Sequence, residues 1–322
     1  PYTTLFRSAV VIPCFRVLTQ IEKVINRIPD YIDMIYVVDD KCDQGSGNFV
    51  KENIKDNRVK VIFHTVNQGV GGAVITGYKE AIKDNMDVVV KIDGDNQMDP
   101  QLAERFILPI VNSEADYTKG NRFFNLSDVS SMPKIRFFGN LALSFLTKAS
   151  SGYWKVFDPT NGYTAISVKA LKMLSLDKIQ KRYFFESDIL FRLNLISAKV
   201  VDIPMVAVYG DEISNLKISK IFFPFLKGNV KNFYKRILYK YFLQDFNVAS
   251  LELISGLFLS SFGIIFGLYN WISNAAQDIE TPTGTIMIAT IFLLVGIHLL
   301  LSFLSYDVNN IPDKPITKNL DE

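Results

Sequence analysis

The sequence predicts an α/β domain built on a mostly parallel sheet, followed by a segment that associates with a membrane. Four short runs rich in β-branched residues lie in the first third of the chain, at 9–13, 34–38, 59–63 and 88–92. Segments with the apolar spacing of helices separate them, at 18–28, 46–55 and 71–84. Continuous apolar strands that alternate with helices are typical of a parallel sheet covered on both faces.

The composition narrows the class of protein. Hydrophobic residues make up 48% of the 322 residues and the mean hydropathy is +0.16, which is high for a purely soluble enzyme. The formal net charge of +2 gives no overall basis for nucleic-acid binding. Cys14 and Cys42 form no Cys-x-x-Cys motif, which fits a reducing compartment. Residues 1–8 carry neither an initiator Met nor a signal-peptide pattern, and we expect them to be a leader outside the native structure.

Acidic residues follow two of the predicted strands. Asp39 and Asp40 come after the second strand, and Asp93 and Asp95 come after the fourth. Ligands of open α/β sheets bind beyond the carboxyl ends of the strands, so we expect the site there. The next part of the chain is mixed, with a predicted helix at 134–150, a loop at 158–163, a helix at 186–197 and a strand at 199–203.

A basic segment follows the predicted domain. Residues 213–244 contain no Asp or Glu, and their seven Lys and Arg residues are interleaved with Phe, Tyr, Ile and Leu. This pattern favours amphipathic helices that lie on an anionic membrane surface. The alternative is a solvated basic face on an ordinary core helix.

Two uncharged runs near the end of the chain, 253–273 and 284–306, are long enough to cross a bilayer as helices. The connection between them holds Asp278 and Glu280 and no Lys or Arg, whereas the segment before the first run is strongly basic. The positive-inside rule then predicts a catalytic domain and both ends of the hairpin in the cytoplasm.

The Asp93-Gly-Asp95 motif suits a divalent metal. Two carboxylates at i and i+2 that leave a strand can point to the same side, and they provide hard oxygen ligands for Mg²⁺ or Mn²⁺. Such an ion would neutralise a departing diphosphate. An acidic turn without a metal is the alternative, but the position directly after a strand favours the metal site.

Several motifs occur in a fixed order. They are Val11-Ile-Pro13, Val37-Val-Asp39-Asp40, Asn67-Gln-Gly69-Val-Gly71-Gly72-Ala73, Lys91-Ile-Asp93-Gly-Asp95-Asn-Gln97-Met-Asp99-Pro100, Lys119-Gly-Asn121-Arg122, Asp158-Pro-Thr-Asn-Gly162-Tyr163 and Phe185-Glu186-Ser-Asp188. Together with the paired C-terminal helices, this order resembles family 2 glycosyltransferases of the dolichol-phosphate mannosyltransferase-like, polyprenyl-phosphate type. The resemblance covers about residues 9–306.

The resemblance implies a GT-A fold, a Rossmann-like nucleotide-diphospho-sugar transferase domain, and an inverting transfer from a UDP- or GDP-hexose to a polyprenyl or dolichyl phosphate. It implies a nucleotide-sugar site formed by Pro13, Asp39, Asp40, Asn67, Gly69, Asp93 and Gln97. It places the metal on Asp93 and Asp95, and the acceptor phosphate on Arg122, Arg136 and Lys217. A membrane-supported homo-oligomer is expected by the same resemblance.

The sequence leaves open whether the reaction needs a general base. A lipid monophosphate has a second pKa of about 6, so its oxygen is already an anion at neutral pH. It needs placement and charge neutralisation more than deprotonation. Asp158, Glu186 and Asp188 therefore stand beside Asp95 as candidate catalytic residues, with helix capping as the alternative for Glu186 and Asp188.

A few single residues have a second interpretation. Asp39 or Asp40 could cap the next helix, and Arg136 could be a surface charge on an amphipathic helix. After Pro13 the sequence departs from the family's usual Tyr-Asn-Glu, and the assignment of Lys217 also falls on a segment that departs from the family pattern. The glycines at 69–72 do not complete a dinucleotide-binding fingerprint, and we interpret them as a tight turn before a helix.

Two different functions compete with the lipid-phosphate glycosyltransferase. One is a family member with a different acceptor, in polysaccharide or glycolipid synthesis, although the Gln-x-x-Arg-Trp segment of processive synthases is missing. The second is a non-catalytic membrane scaffold. The expected organisation is a leader at 1–8, a catalytic domain at 9–212, basic juxtamembrane helices at 213–247, a transmembrane hairpin at 248–306 and a tail at 307–322.

Overall fold

The computed structural model describes residues 6–123, 134–205 and 218–319, with the backbone alone at 134–138, 140, 218–221, 317 and 319. The chain divides into two compact units. Unit 1 comprises Pro1–Tyr234 and Pro312–Glu322, and unit 2 comprises Lys235–Ile311.

Unit 1 is built on one seven-stranded sheet. Its strands are β1 (Ser8–Cys14), β2 (Met34–Asp39), β3 (Val59–Phe63), β4 (Val88–Lys91), β5 (Tyr117–Asn121), β6 (Thr164–Ser167) and β7 (Val200–Pro204). Their order across the sheet is β3-β2-β1-β4-β6-β5-β7, and every pairing is parallel except the two made by β6. The prediction of a mostly parallel sheet is therefore confirmed.

The helices follow the strands in alternation through the first half of the chain. They are α1 (Ile21–Asn26), α2 (Ser46–Asn53), α3 (Val70–Lys83), α4 (Ala103–Val111), α5 (Lys134–Ser151), α6 (Val168–Met173), α7 (Phe185–Leu195), α8 (Ile218–Leu238), α9 (Val248–Ala275), α10 (Thr283–Asn309) and α11 (Ile316–Asn319). Short 3₁₀ turns occur at Pro100–Leu102 and Leu176–Lys178, and a π-helical turn spans Tyr239–Gln244.

The strand order determines where the site lies. The chain winds from β1 outward through β2 to β3, and then crosses back to place β4 on the other side of β1. The crevice at such a reversal, beyond the carboxyl ends of β1 and β4, is the usual ligand site of an open α/β sheet. Below it, Val10, Val37 and Val90 are fully buried and pack with Phe106 of α4, so the strand ends are held rigidly.

The start of the first strand differs from the expectation by one residue. Ser8 belongs to β1, is fully buried, and its backbone N–H donates to Asp33 Oδ2 at 2.7 Å. The Arg7 N–H donates to Asp87 Oδ2 at 2.7 Å. The expected leader at 1–8 therefore overlaps the folded domain: Ser8 belongs to the sheet, and the Arg7 backbone is paired with Asp87. Residues 1–5 lie outside the described part of the chain.

The segment after the hairpin belongs to unit 1. The Ile316 N–H donates to Asp116 Oδ2 at 2.9 Å, and the same oxygen accepts the Lys199 N–H at 2.8 Å. Pro315 is buried, and α11 packs against α6. The segment after the hairpin thus packs at one end of the strands, and Asp93 lies at the opposite end.

Unit 2 contains the two apolar helices. The most apolar stretches of α9 and α10 have mean hydropathies of 1.9 and 2.5. By length and composition, each helix could cross a membrane. They pack closely through small residues, since a Cβ on Gly263 would lie 2.8 Å from Leu293 N and one on Gly296 would lie 2.4 Å from Ser260 N. The predicted runs at 253–273 and 284–306 lie within α9 and α10 over their whole length.

A buried ion pair connects the ends of unit 2. The Arg236 guanidinium donates to both oxygens of Asp307, at 2.5 and 2.9 Å, and Tyr241 O–H donates to Asp307 Oδ1 at 2.6 Å. Arg236 and Asp307 are 1% and 4% exposed, so water contributes little to their solvation. The pair fixes the helical segment before the hairpin to the last turn of α10.

Candidate active site

The end of β4 carries a buried lysine beneath the acidic motif. Lys91 is the last residue of the strand, and its Nζ lies 2.8 Å from Asp93 Oδ1, 3.1 Å from Gly162 O and 3.4 Å from Glu186 Oε1. Burial alone would lower the pKa of Lys91, but the carboxylates of Asp93 and Glu186 outweigh it, and the pKa is raised. The lysine is therefore a permanent cation that brings two predicted site residues together.

The Asp93–Asp95 loop offers two carboxylates at the position where the sequence predicts a divalent metal. Asp95 Oδ1 accepts the Gln97 N–H at 3.1 Å, and Asn96 between them is left-handed with φ 60°. Within the described residues, no group of three or more His, Cys, Asp or Glu side chains could hold a metal. Mg²⁺ commonly takes one or two carboxylates and fills its other positions with phosphate oxygens and water. Asp93 and Asp95 fit that arrangement when a diphosphate is bound.

The loop at 158–163 crosses above the ends of β4 and β5. Gly162 approaches so closely that an added Cβ would lie 2.4 Å from Asp93 Oδ2 and 2.6 Å from Lys91 Nζ. Tyr163 leaves the loop with its ring stacked on Phe106 at 4.1 Å. Lys119 of β5 donates from Nζ to Asn161 O at 2.5 Å. The loop is thus held against the sheet by buried contacts.

Arg122 and Asp158, predicted for separate roles, form one ion pair. Arg122 Nε and Nη2 donate to Asp158 Oδ2 and Oδ1 at 2.7 and 3.1 Å, in a two-point arrangement. Asp158 is 1% exposed, while Arg122 is 30% exposed. A carboxylate in such a fork orients the guanidinium. Asp158 is therefore arranged to position Arg122.

Asp39 and Asp40 bind backbone groups at the starts of two helices. Asp39 accepts the N–H groups of Cys42 and Gly47 at 2.7 and 2.8 Å, which ties it to the first turn of α2. Asp40 accepts the N–H groups of Gln68 and Gly69 at 2.8 and 2.6 Å. Both side chains are buried. Asp39 thus contacts the first turn of the next helix, as the capping interpretation expects of one of the two residues, whereas Asp40 holds the turn before α3.

The remaining predicted nucleotide-site residues lie around these carboxylates. Pro13 is in β1, in register with Val38 of β2. Asn67 Nδ2 donates to Asp40 O at 3.0 Å. Gly69 is left-handed with φ 88°, and an added Cβ would lie 2.7 Å from Lys181 O. The turn before α3 therefore requires glycine at this position, as the tight-turn interpretation expects.

Glu186 and Asp188 have different surroundings although both lie in the first turn of α7. Glu186 faces Lys91. Asp188 is 2% exposed and accepts from the Gln180 N–H, Arg192 Nε and Asn232 Nδ2, each at 2.9 Å. Three donors fix Asp188 between α7 and α8, so its contacts are those of a structural residue. Both are acidic residues in the first turn of α7, where negative charge is favourable, but Phe184 at the N-cap position makes no side-chain cap.

Two predicted phosphate contacts are not described by the structure. Lys217 lies in the segment 206–217, and Arg136 lies in α5 at a position with backbone alone. Sequence reasoning in turn missed the roles of Lys91 and Lys119. A lysine at the end of an otherwise apolar buried strand, as in Val88-Val-Val-Lys91, is the signal that could have identified the first of them.

Comparisons with known proteins identify relatives of this chain. The model of glycosyl transferase family 2 matches residues 9–174. The chain is 32% identical over 215 residues to the UDP-N-acetylglucosamine–dolichyl-phosphate N-acetylglucosaminyltransferase of Methanococcus voltae, covering 62% of this chain and 85% of that protein. It is 27% identical over 206 residues to the undecaprenyl-phosphate mannosyltransferase of Micrococcus luteus, covering 63% and 84% of the two chains.

A solved structure shares the fold. Glucosyl-3-phosphoglycerate synthase from Mycobacterium tuberculosis, crystallised with Mn²⁺, UDP and glucosyl-3-phosphoglycerate, superposes with a TM-score of 0.52 at 18% identity. The match covers 72% of this chain and 80% of that chain. At this identity the likeness concerns the fold alone.

Proposed function

Because this chain belongs to glycosyltransferase family 2, we propose that it transfers a sugar from a nucleotide-sugar to the phosphate of a polyprenyl or dolichyl phosphate. Its sheet has the GT-A fold of that family. The observation that carries the proposal is the 158–162 loop, which holds Arg122 through Asp158 at one end and meets Asp93 through Gly162 at the other. A cation for an acceptor phosphate and a carboxylate for a donor diphosphate are thus joined by one short loop.

The proposed reaction is a single displacement with inversion. An oxygen of the acceptor phosphate attacks the anomeric carbon, the bond from that carbon to the diphosphate breaks, and the nucleoside diphosphate leaves. Mg²⁺ or Mn²⁺ on Asp93 and Asp95 would supply charge neutralisation for the diphosphate. Arg122 orients the acceptor phosphate as a two-point donor. No residue has to remove a proton, since the phosphate is an anion at neutral pH.

The remaining residues take supporting roles in the proposal. Asp39 and Asp40 form the nucleoside side of the crevice through the backbone that they hold, together with Pro13, Asn67, Gly69 and Gln97. Glu186 supports Lys91 and Asp93. Arg136 and Lys217 are proposed as further phosphate contacts on their residue type alone.

The proposal includes a membrane location. The exposed face of α8 carries Phe223 and Tyr234, 73% and 68% exposed, beside Lys227 and Lys231. Aromatic rings with interleaved lysines suit the interface of an anionic bilayer. We propose that residues 213–247 lie on the cytoplasmic face, that 248–306 span the membrane, and that 9–212 form the catalytic domain beside it.

Donor-dependent transfer tests the proposal. Purified full-length protein in detergent would receive undecaprenyl phosphate, Mn²⁺ or Mg²⁺, and a panel of radiolabelled UDP- and GDP-sugars that begins with UDP-N-acetylglucosamine. We expect label to enter the organic phase with one donor and to stay in water after EDTA or in Asp95→Asn. Transfer to soluble acceptors only would indicate a different acceptor class. No transfer to any acceptor from folded protein would favour the scaffold and overturn the proposal.

A further inference from the structure

Two buried lysines form a row with a threonine across the middle of the sheet. Lys91 of β4 and Lys119 of β5 are both in register with Thr164 of β6, which lies between the two strands. The lysines are 1% and 0% exposed. Both ammonium groups therefore lie under the same short stretch of chain that follows Asp158.

The lysines bind successive carbonyls of that stretch. Lys119 Nζ donates to Asn161 O at 2.5 Å, and Lys91 Nζ donates to Gly162 O at 3.1 Å. Lys91 also holds Asp93 at 2.8 Å. The acidic motif and the Asp158 loop are thus fixed to one pair of cations.

Two buried ammonium groups lower the stability of the fold, and packing alone does not require them. A buried ammonium loses its hydration, and two in one row also repel each other. Burial lowers the pKa of Lys119 to about 8, against the opposing charges of Glu186, Asp158 and Asp202 and with the help of Lys91. These four groups, on α7, the loop, β7 and β4, are the charges that act on it. A methionine would fill similar space without this cost.

We propose that Lys91 and Lys119 are positioning residues that join the two halves of the site, with Lys119 fixing the acceptor half and Lys91 fixing both. Lys119 acts through the loop on Asp158 and Arg122. Lys91 acts on the same loop and on Asp93. This inference rests on the proposed function, since it assigns the acceptor phosphate to Arg122 and the donor diphosphate to Asp93.

Equilibrium binding by the full-length protein separates the two roles. The probes are undecaprenyl phosphate, and UDP with Mn²⁺, measured by calorimetry in detergent with Lys119→Met, Lys91→Met and the control Lys60→Met. Lys60 is also a strand lysine with carboxylate partners, Glu80 at 2.7 Å and Asp84 at 3.2 Å, but it lies on β3. We expect Lys119→Met to weaken undecaprenyl phosphate binding by about 10-fold or more while UDP binding stays unchanged. Lys91→Met should weaken both, and Lys60→Met neither.

The pH dependence of undecaprenyl phosphate binding adds a second test, because a role of Lys119 in packing alone would not vary with its charge. The wild-type advantage over Lys119→Met in undecaprenyl phosphate binding should shrink as the pH rises through about 8, because the ammonium is lost. The folded-state pKa lies below the ordinary value of 10.5, so unfolding takes up a proton between these values. Wild-type stability should therefore rise relative to Lys119→Met across that window.

The outcomes are distinct. If Lys119→Met weakened both ligands equally, or neither, or if its deficit did not vary between pH 7 and 9.5, the inference would be wrong. If the binding split appeared but no donor supported transfer, the positioning roles would stand and the proposed reaction would fail. A thermal transition in each variant shows that the protein is folded.

Discussion

Gly162 is the residue at which the two halves of the site come closest. An added Cβ would enter the space of Asp93 Oδ2 and Lys91 Nζ, at 2.4 and 2.6 Å. We expect Gly162→Ala to displace Asp93 and to lower the transfer rate by about 100-fold. Initial rates with saturating donor and acceptor measure this effect.

A matched control exists in the same unit. A Cβ on Gly139, inside α5, would have no atom of the described residues within 4 Å. Gly139→Ala should leave transfer unchanged and stabilise the helix by roughly 0.5–1 kcal/mol. Wild-type rates in Gly162→Ala would show that the loop yields without disturbing Asp93, contrary to the proposed arrangement.

The Arg122–Asp158 pair makes a second prediction for single residues. Lysine cannot reproduce the two-point contact, and asparagine at 158 removes the charge that holds the guanidinium. Arg122→Lys and Asp158→Asn should each raise the KM for the acceptor by about 10- to 100-fold with little change in the KM for the donor. Steady-state kinetics with each substrate varied in turn test this, and an equal effect on the donor would refute an acceptor role for the pair.

At the level of elements, the apolar strands β1 to β4 and the helices between them could be predicted, and the polar strands β5 and β6 could not. β1 to β4 are apolar runs, and each appears where the sequence predicts it. β5 and β6 were missed, because β5 reads Tyr-Thr-Lys-Gly-Asn and β6 has only four residues. Their polar side chains are buried by the elements that pack on the faces of the sheet, which the local sequence pattern does not reveal.

The same limit applies to the candidate site. The position of Asp93 after a strand was predictable, since it depends on chain order alone. The contact between Lys91 and Glu186 was not predictable, because it joins residues 95 positions apart. Likewise the family resemblance points to Arg122 and Asp158 separately, but their pairing depends on how the loop folds over β5.

The Arg236–Asp307 pair sets the stability of the hairpin's ends. Asp307→Asn leaves a buried guanidinium without its charge partner, and breaking such a pair costs about 3–5 kcal/mol. We expect a lower thermal transition of the full-length protein in detergent. Asp278→Asn is the control, since Asp278 is exposed with φ 51°, a conformation that asparagine tolerates. An equal response of the two variants would show that the pair contributes no net stability.

For the whole molecule, chain connectivity predicts the topology of the hairpin. The chain leaves unit 1 before α9 and rejoins it at Pro312. If the hairpin spans a membrane, we therefore expect both of its ends on the same side. In a Cys14→Ser, Cys42→Ser background, Gln277→Cys should react with an impermeant maleimide in intact cells. Asp313→Cys should react only after permeabilisation. The reverse pattern would contradict the cytoplasmic orientation, and equal labelling of both would contradict a spanning hairpin.

The contact between Ile316 and Asp116 also imposes an order on biosynthesis. Ile316 is translated after the hairpin. The ribosome has therefore already made both apolar helices when Ile316 reaches Asp116 and unit 1 receives its final segment. Nascent chains that end before Pro312 lack this contact. If the hairpin inserts into the bilayer as proposed, unit 1 is completed only after both membrane-spanning helices have been synthesised.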